Sequence, residues 1–261
     1  MQVKSVCNAR RKDFLIFQTF NKLILRCIQL FSNFQTKMNP SKECLKRISN
    51  DLKDVSARNL EECGIFVERD EVNALKCHVL IVGPVDTPYE GGLFFFSIKF
   101  PVDYPMSSPS AKIRTTGGGT VRFNPNLYSN GKVCLSILGT WTGPSWTSAL
   151  TLSTVLLSIQ SLMGERPMQN EPGHETCSSA DSEKYNEIII HETMRVAIAD
   201  NVELMLHASA TLPPWMTPTL CEKALRVHTR NADKCARACL GRVARFDGKK
   251  MNNPFGDHEA G

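Results

Sequence analysis

The sequence predicts an α+β fold in which one helix precedes an antiparallel β-meander and further helices follow it. Two observations support this prediction. The segments between the predicted strands are short and rich in Gly and Pro, which leaves no room for helices between them. After Thr147 the apolar residues change from a spacing of two to a spacing of about 3.6. The length of 261 residues and the apolar content of 42% fit one sizeable globular domain with extensions.

The first predicted helix opens near Asn39-Pro40 or Ser41, because Pro is well accommodated in a first helical turn. Strands are predicted at 77–82, 93–100 and 111–115, within a meander of four strands. An apolar stripe over 152–163 then indicates a buried central helix. Two more helices are predicted, at 182–206 and 219–243.

The N-terminal 38 residues differ from the rest of the chain in charge. Residues 1–37 carry seven basic residues and one acidic residue, a net charge of +6, whereas the remainder carries −1. A basic nucleic-acid footprint on the main domain is therefore not expected. We divide the chain into a basic amphipathic extension at 1–38, a core domain at 39–206, and a C-terminal helical extension with a loose tail at 207–261.

The apolar stretch 14–31 is not predicted to be a stable membrane span. Lys22 and Arg26 fall inside it, and each costs about 2.5–3.5 kcal/mol at a bilayer centre. Its polar residues form one stripe, which favours an amphipathic helix that covers an apolar patch. The alternatives are an interfacial anchor, an acid-poor transit peptide, and a chain that effectively starts at Met38.

Cys134 is the candidate nucleophile, because a turn-rich loop meets a short apolar segment there. Asn126 lies eight residues upstream, and an amide N–H that meets a thioester oxyanion lowers an acyl-transfer barrier by about 3–4 kcal/mol. The alternative is that Cys134 is a small buried hydrophobe, as most free cysteines are. None of the ten cysteines has zinc-finger or C-x-x-C spacing, so neither a metal nor a cofactor is expected. Reduced thiols favour the cytoplasm, with the nucleus as an alternative.

Taken in order, the motifs of 39–206 resemble those of the ubiquitin-conjugating enzymes. The resemblance rests on Gly83-Pro84 with the run TPYEGG, on the Tyr-Pro loop, on Asn124-Pro125-Asn126 with GKVCL, and on Trp146 with the helix that follows it. It implies the ubiquitin-conjugating fold and a thioester on Cys134. Ubiquitin or a ubiquitin-like modifier would come from an activating enzyme and pass to substrate lysines, usually with a ligase.

The resemblance also implies roles for further residues. Glu171, just before Pro172, matches an acidic gate residue that can orient the incoming amine and ease its deprotonation; the alternative is a solvated loop carboxylate. The residues that match ligase-facing positions are Met106, Trp146, Thr147 and Ser148. Runs such as NGKVCLSILGTWTGP and HETMRVA are similar to one subclass, which implies the alternative activating enzyme and a tandem ubiquitin-like modifier.

The chain departs from the family pattern at three places. Asn124 replaces the usual His, which implies loss of a side chain that orders the loop. Met106 replaces an aromatic residue, and Thr147-Ser148-Ala149 replaces Ser-Pro-Ala, so the usual set of ligases is in doubt. Two other functions are alternatives. An inert ubiquitin-binding relative would lack the nucleophile, and a hydrolytic Cys enzyme needs a Cys–His pair.

Overall fold

The computed structural model describes residues 39–207 and 212–246, with only the backbone for 242–246. The predicted N-terminal extension at 1–38 and the tail after 246 lie outside the described residues. Every element below belongs to one compact unit, Lys42–Gly261. In the described part of the chain no helix is long and apolar enough to cross a bilayer.

The described elements form a helix followed by a four-stranded antiparallel sheet, as predicted. Helix α1 spans Lys42–Ala57 and buries Cys44, Ile48 and Val55. The strands, in the spatial order in which they pair, are β1 (Ile65–Arg69), β2 (Lys76–Val82), β3 (Leu93–Lys99) and β4 (Ser110–Ile113). The sequence located β2, β3 and β4 but not β1. Only Ile65, Phe66 and Val67 of that strand are apolar, and a run of three is too short to indicate a strand.

The remaining elements are helical. Helix α2 (Leu152–Ser161) begins after Thr151, whose side chain forms a capping box with Thr154. Helix α3 (Ser179–Glu192) begins three residues before the prediction, because the Ser178 hydroxyl accepts a hydrogen bond from the amide of Asp181. The helix predicted at 182–206 is not uniform: a π-helical section follows α3, and α4 follows that section. The bounds of the last three elements are Thr193–Asp200 for the π-helix, Asn201–Leu206 for α4 and Pro218–Phe246 for α5.

The sheet is covered on both faces. The cross-strand pairs Val79–Phe96 and Ile81–Phe94 face the main core, where α2 packs. The pair Leu80–Phe95 faces the other way, because successive residues of a strand point to opposite sides. On that face the sheet packs against the start of α5, through Met216, Leu220, Cys221 and Ala224.

A buried carboxylate connects α1 to the segments that lead toward α2. Asp51 is 3% exposed and accepts hydrogen bonds from the Arg47 guanidinium at 2.8 Å, from the Tyr104 hydroxyl and from the amide of Leu152 at 3.2 Å. Arg47 also donates to the carbonyl of Ser148 at 2.8 Å. These contacts fix the segment that carries the predicted ligase-facing residues 146–148.

We expect Asp51→Asn to lower the free energy of unfolding by about 2 kcal/mol, because an amide cannot satisfy three donors that a buried carboxylate satisfies. Urea unfolding followed by circular dichroism measures this. Glu71→Gln, at an exposed position, is the control and should stay within about 0.5 kcal/mol of the wild type. Equal stability of the two variants would show that the Asp51 contacts contribute no net stabilisation.

Candidate active site

Cys134 lies just before a short 3-10 turn, Ser136–Leu138, and two reciprocal hydrogen bonds connect it to Asn126. The Cys134 amide donates to the carbonyl of Asn126 at 2.9 Å, and Asn126 Nδ2 donates to the carbonyl of Cys134 at 2.8 Å. The two residues that the sequence singled out are therefore in direct contact. The Thr140 hydroxyl donates to the carbonyl of Val133 at 2.8 Å and accepts from the amide of Leu135 at 3.0 Å, which fixes the other side of the loop.

The Asn126 side chain is 5% exposed and fixes the backbone of the candidate nucleophile. The sequence predicts that its amide meets a thioester oxygen, whereas in the structure its acceptor is the main-chain carbonyl of Cys134. A carboxamide nitrogen carries two hydrogens, so one N–H can make this contact while the other meets an acyl oxygen. Both roles are chemically compatible in one side chain.

Asn124 orders the loop in place of the expected His. It is fully buried, and its Nδ2 donates to the carbonyl of Leu162 at 2.8 Å and to the Tyr89 hydroxyl at 3.0 Å. Its Oδ1 accepts from the amide of Asn126 at 2.9 Å. The Tyr89 hydroxyl in turn donates to the carbonyl of Phe123 at 2.7 Å. The His is absent, as the sequence shows, and the hydrogen-bonded carboxamide of Asn124 holds the turn in this chain.

The Cys134 thiol is covered in this conformation, since the residue is only 1% exposed. The side chains of Tyr128 and Cys134 interact through a hydrogen bond, and burial, the largest effect, raises the pKa of Tyr128. Attack by a thiol requires access to its sulfur, so the surroundings of Cys134 must rearrange or admit an acyl group beside it.

Arg122 and Tyr128 are site residues that the sequence did not indicate. The Arg122 guanidinium lies 4.3 Å from the centre of the Tyr128 ring, and the Lys132 ammonium lies 5.5 Å from it. Arg122 also donates to the carbonyl of Pro125 at 2.7 Å. The only signal in the sequence was a charged residue between the apolar residues Val121 and Phe123, which does not indicate a partner.

Glu171 follows a short 3-10 turn, Pro167–Asn170, and approaches the loop through Arg122. Its Oε2 lies 3.4 Å from Arg122 Nη2, and its side chain is 28% exposed. The carboxylate is therefore partly covered and paired, unlike a simple solvated loop carboxylate. Cys134 is in direct contact with Asn126, whereas Glu171 is connected to it only through Arg122 and Tyr128.

The predicted ligase-facing residues form one surface. Trp146 is partly buried, and its Nε1 donates to the carbonyl of Pro105 at 2.8 Å. The next residue, Met106, is 74% exposed, and Thr147 and Ser148 are also exposed. The Trp146–Pro105 hydrogen bond thus joins the two segments that carry all four positions.

The described contacts of the Cys134 side chain do not favour the hydrolytic alternative. Its described hydrogen-bonding partner is Tyr128, whereas His191 lies on α3 with its Nε2 3.8 Å from Glu192. Among the described residues no group of three or more His, Cys, Asp and Glu side chains could hold a metal ion.

Comparison with known proteins agrees with this arrangement. The family model described as "Ubiquitin-conjugating enzyme" matches residues 47–192. Ubiquitin-conjugating enzyme E2 Z of Homo sapiens is 47% identical over 216 residues, which cover 82% of this chain and 58% of that protein. Its counterpart in Danio rerio is 46% identical over 218 residues, which cover 83% and 63%. The dual E2 ubiquitin-conjugating enzyme/E3 ubiquitin-protein ligase BIRC6 of Homo sapiens is 43% identical over 148 residues, which cover 53% and 3%. The chain therefore spans about 60% of the E2 Z proteins that it matches.

Proposed function

Because this chain belongs to the ubiquitin-conjugating enzyme family, whose members are transferases, we propose that Cys134 accepts ubiquitin or a ubiquitin-like modifier as a thioester. The modifier comes from an activating enzyme and passes to a lysine of a protein substrate, with a ubiquitin ligase. The reciprocal hydrogen bonds between Asn126 and Cys134 are the observation that supports this proposal best. The reaction takes place in the cytoplasm or nucleus, where thiols stay reduced.

In the charging step the Cys134 sulfur attacks the carbonyl carbon of the modifier's thioester on the activating enzyme. A new C–S bond forms, the old C–S bond breaks, and the leaving sulfur takes up the proton that Cys134 released. This exchange needs access and some thiolate but no general base of its own. The hydrogen bonds between Asn126 and the Cys134 main chain hold the segment that carries the sulfur in place.

In the discharge step a lysine amine attacks the thioester carbonyl on Cys134. The C–N bond forms through a tetrahedral oxyanion, which the second N–H of Asn126 meets. The C–S bond then breaks and Cys134 is released as a thiol. The attacking ammonium must first lose a proton, and the carboxylate of Glu171 accepts it and returns it to the solvent or to the leaving sulfur.

Charging on a gel tests the proposal. We expect incubation with ubiquitin, ATP and a ubiquitin-activating enzyme to give an adduct that reducing agent removes, because a thioester exchanges with thiols. Parallel reactions with the alternative activating enzyme, and with a tandem ubiquitin-like modifier, identify the pair that serves this chain. If no combination gives an adduct, the chain acts as an inert binding module, and retention on immobilised ubiquitin would support that second function.

A further inference from the structure

One side chain, that of Arg122, contacts three separate parts of the candidate site. Its Nη2 lies 2.7 Å from the carbonyl of Pro125 and 3.4 Å from Glu171 Oε2, and its Nε lies 3.3 Å from the carbonyl of Asn124. Its guanidinium stacks on the Tyr128 ring at 4.3 Å. The same cation therefore contacts the Asn-Pro-Asn turn, the carboxylate of Glu171 and the ring of Tyr128.

The position of Arg122 is well defined by its surroundings. Its neighbours Val121 and Phe123 are buried in the main core, and its own side chain is only 18% exposed. A guanidinium is planar, offers five donors and stays charged at every pH used for enzymes. Only such a group can donate to two carbonyls and a carboxylate while its flat face covers an aromatic ring. A lysine ammonium in the same place could satisfy one or two of these contacts.

We propose that Arg122 is a positioning residue for transfer to lysine, and that it acts by holding Tyr128 and Glu171 beside Cys134. This inference rests on the proposed function. The described contacts of Arg122 are with the turn, Glu171 and Tyr128, so it acts through other residues. The Tyr128 ring that it stacks on carries the hydroxyl that meets the Cys134 side chain, and the carboxylate that it pairs with is the predicted acceptor of the lysine proton.

The geometry of the ion pair is compatible with this role. A separation of 3.4 Å is long for a charge-assisted hydrogen bond, and the Glu171 side chain is partly exposed. A carboxylate has about four acceptor positions, so Glu171 can stay beside Arg122 and still receive a proton from an incoming amine. Loss of Arg122 leaves Glu171 on a loop without this constraint, and leaves the Tyr128 ring without its cover on one face.

We expect Arg122→Gln to discharge to free lysine about tenfold more slowly at neutral pH, an effect that corresponds to about 1.4 kcal/mol in the barrier. Its loss in the charging step should be smaller, because that step needs no acceptor for a lysine proton. Arg122→Lys should fall between this variant and the wild type. The loss should be greater near pH 6.5 than near pH 9.5, because a mispositioned Glu171 matters most while the attacking lysine is protonated. A role in folding alone would give a loss that does not depend on pH. Single-turnover discharge of the purified thioester measures both quantities.

Arg114→Gln is the matched control. Arg114 also stacks on an aromatic ring, that of Trp215 at 4.8 Å, and donates to the Ser97 hydroxyl at 3.0 Å, but it has no part in the Cys134 loop. Its discharge rate should equal that of the wild type. Thermal unfolding of all variants separates positioning from stability, and Arg122→Lys, which keeps the charge, serves if the Gln variant unfolds.

The decisive test is whether the effect of Arg122→Gln on discharge adds to the effects of changing its two partners. In a background that carries Tyr128→Leu and Glu171→Gln, the Arg122→Gln change should slow discharge by less than about twofold, because its two partners are already gone. Full multiplication of the losses would overturn the inference, as would a wild-type discharge rate in Arg122→Gln. The proposed function fails in a different way, through absence of the adduct in the wild-type protein itself.

Discussion

Cys134→Ala will abolish the reductant-sensitive adduct, and Cys134→Ser will replace it with an oxygen ester. The Ser variant keeps both main-chain hydrogen bonds to Asn126. Its hydroxyl forms an ester that thiols do not cleave but hydroxylamine does. The two variants are expected to fold, because each replaces a small buried side chain with another small one. Non-reducing gels with and without hydroxylamine distinguish the two kinds of adduct.

A second cysteine provides the control for this result. Cys63 is exposed, and Cys63→Ala should charge as the wild type does, although its thiol is more accessible than that of Cys134. Exposure alone would favour Cys63, whereas the surrounding loop favours Cys134. Full charging of Cys134→Ala, together with loss of charging in Cys63→Ala, would transfer the assignment to the exposed thiol.

The sequence predicted those parts of the fold that depend on local patterns. Strands β2 and β3 are mostly apolar and α2 has a broad apolar stripe, so all three were recognisable without tertiary information. Strand β1 was not, because its apolar run, Ile65-Phe66-Val67, is too short to indicate a strand by itself. The π-helical section at Thr193–Asp200 was also not recognisable from the sequence, since its apolar spacing is close to that of an ordinary helix.

The candidate site divides in a similar way. The spacing of eight residues indicated that Asn126 lies near Cys134 in one turn-rich loop, but the hydrogen bond from its amide to the Cys134 carbonyl was not predicted. The contact between Arg122 and Glu171 joins positions 49 residues apart, which no local pattern specifies. The contact between Tyr128 and Cys134 was also outside the reach of the sequence, because no local pattern specifies the direction of either side chain.

Asn126→Ala should slow discharge to lysine by about 100-fold at every pH, if the second N–H of its amide meets the oxyanion. The same change removes the hydrogen bond to the Cys134 carbonyl, so a smaller loss in the charging step is expected as well. The ratio of the two losses separates the roles. Equal losses in charging and discharge would mean that Asn126 acts only by fixing the loop.

Glu171→Ala should behave differently from Asn126→Ala, because only discharge to lysine requires removal of a proton from an ammonium. At about pH 6.5 free lysine is almost wholly protonated, and the Glu171 carboxylate should matter most. The loss should shrink as the pH approaches the unperturbed lysine pKa of about 10.4. Single-turnover discharge of the purified thioester between about pH 6.5 and 9.5 measures both variants under one set of conditions. Parallel losses for the two variants across this range would mean that Glu171 only positions the loop and that water accepts the proton. Discharge rates of Glu171→Ala that converge with those of the wild type at high pH would identify the carboxylate as the proton acceptor.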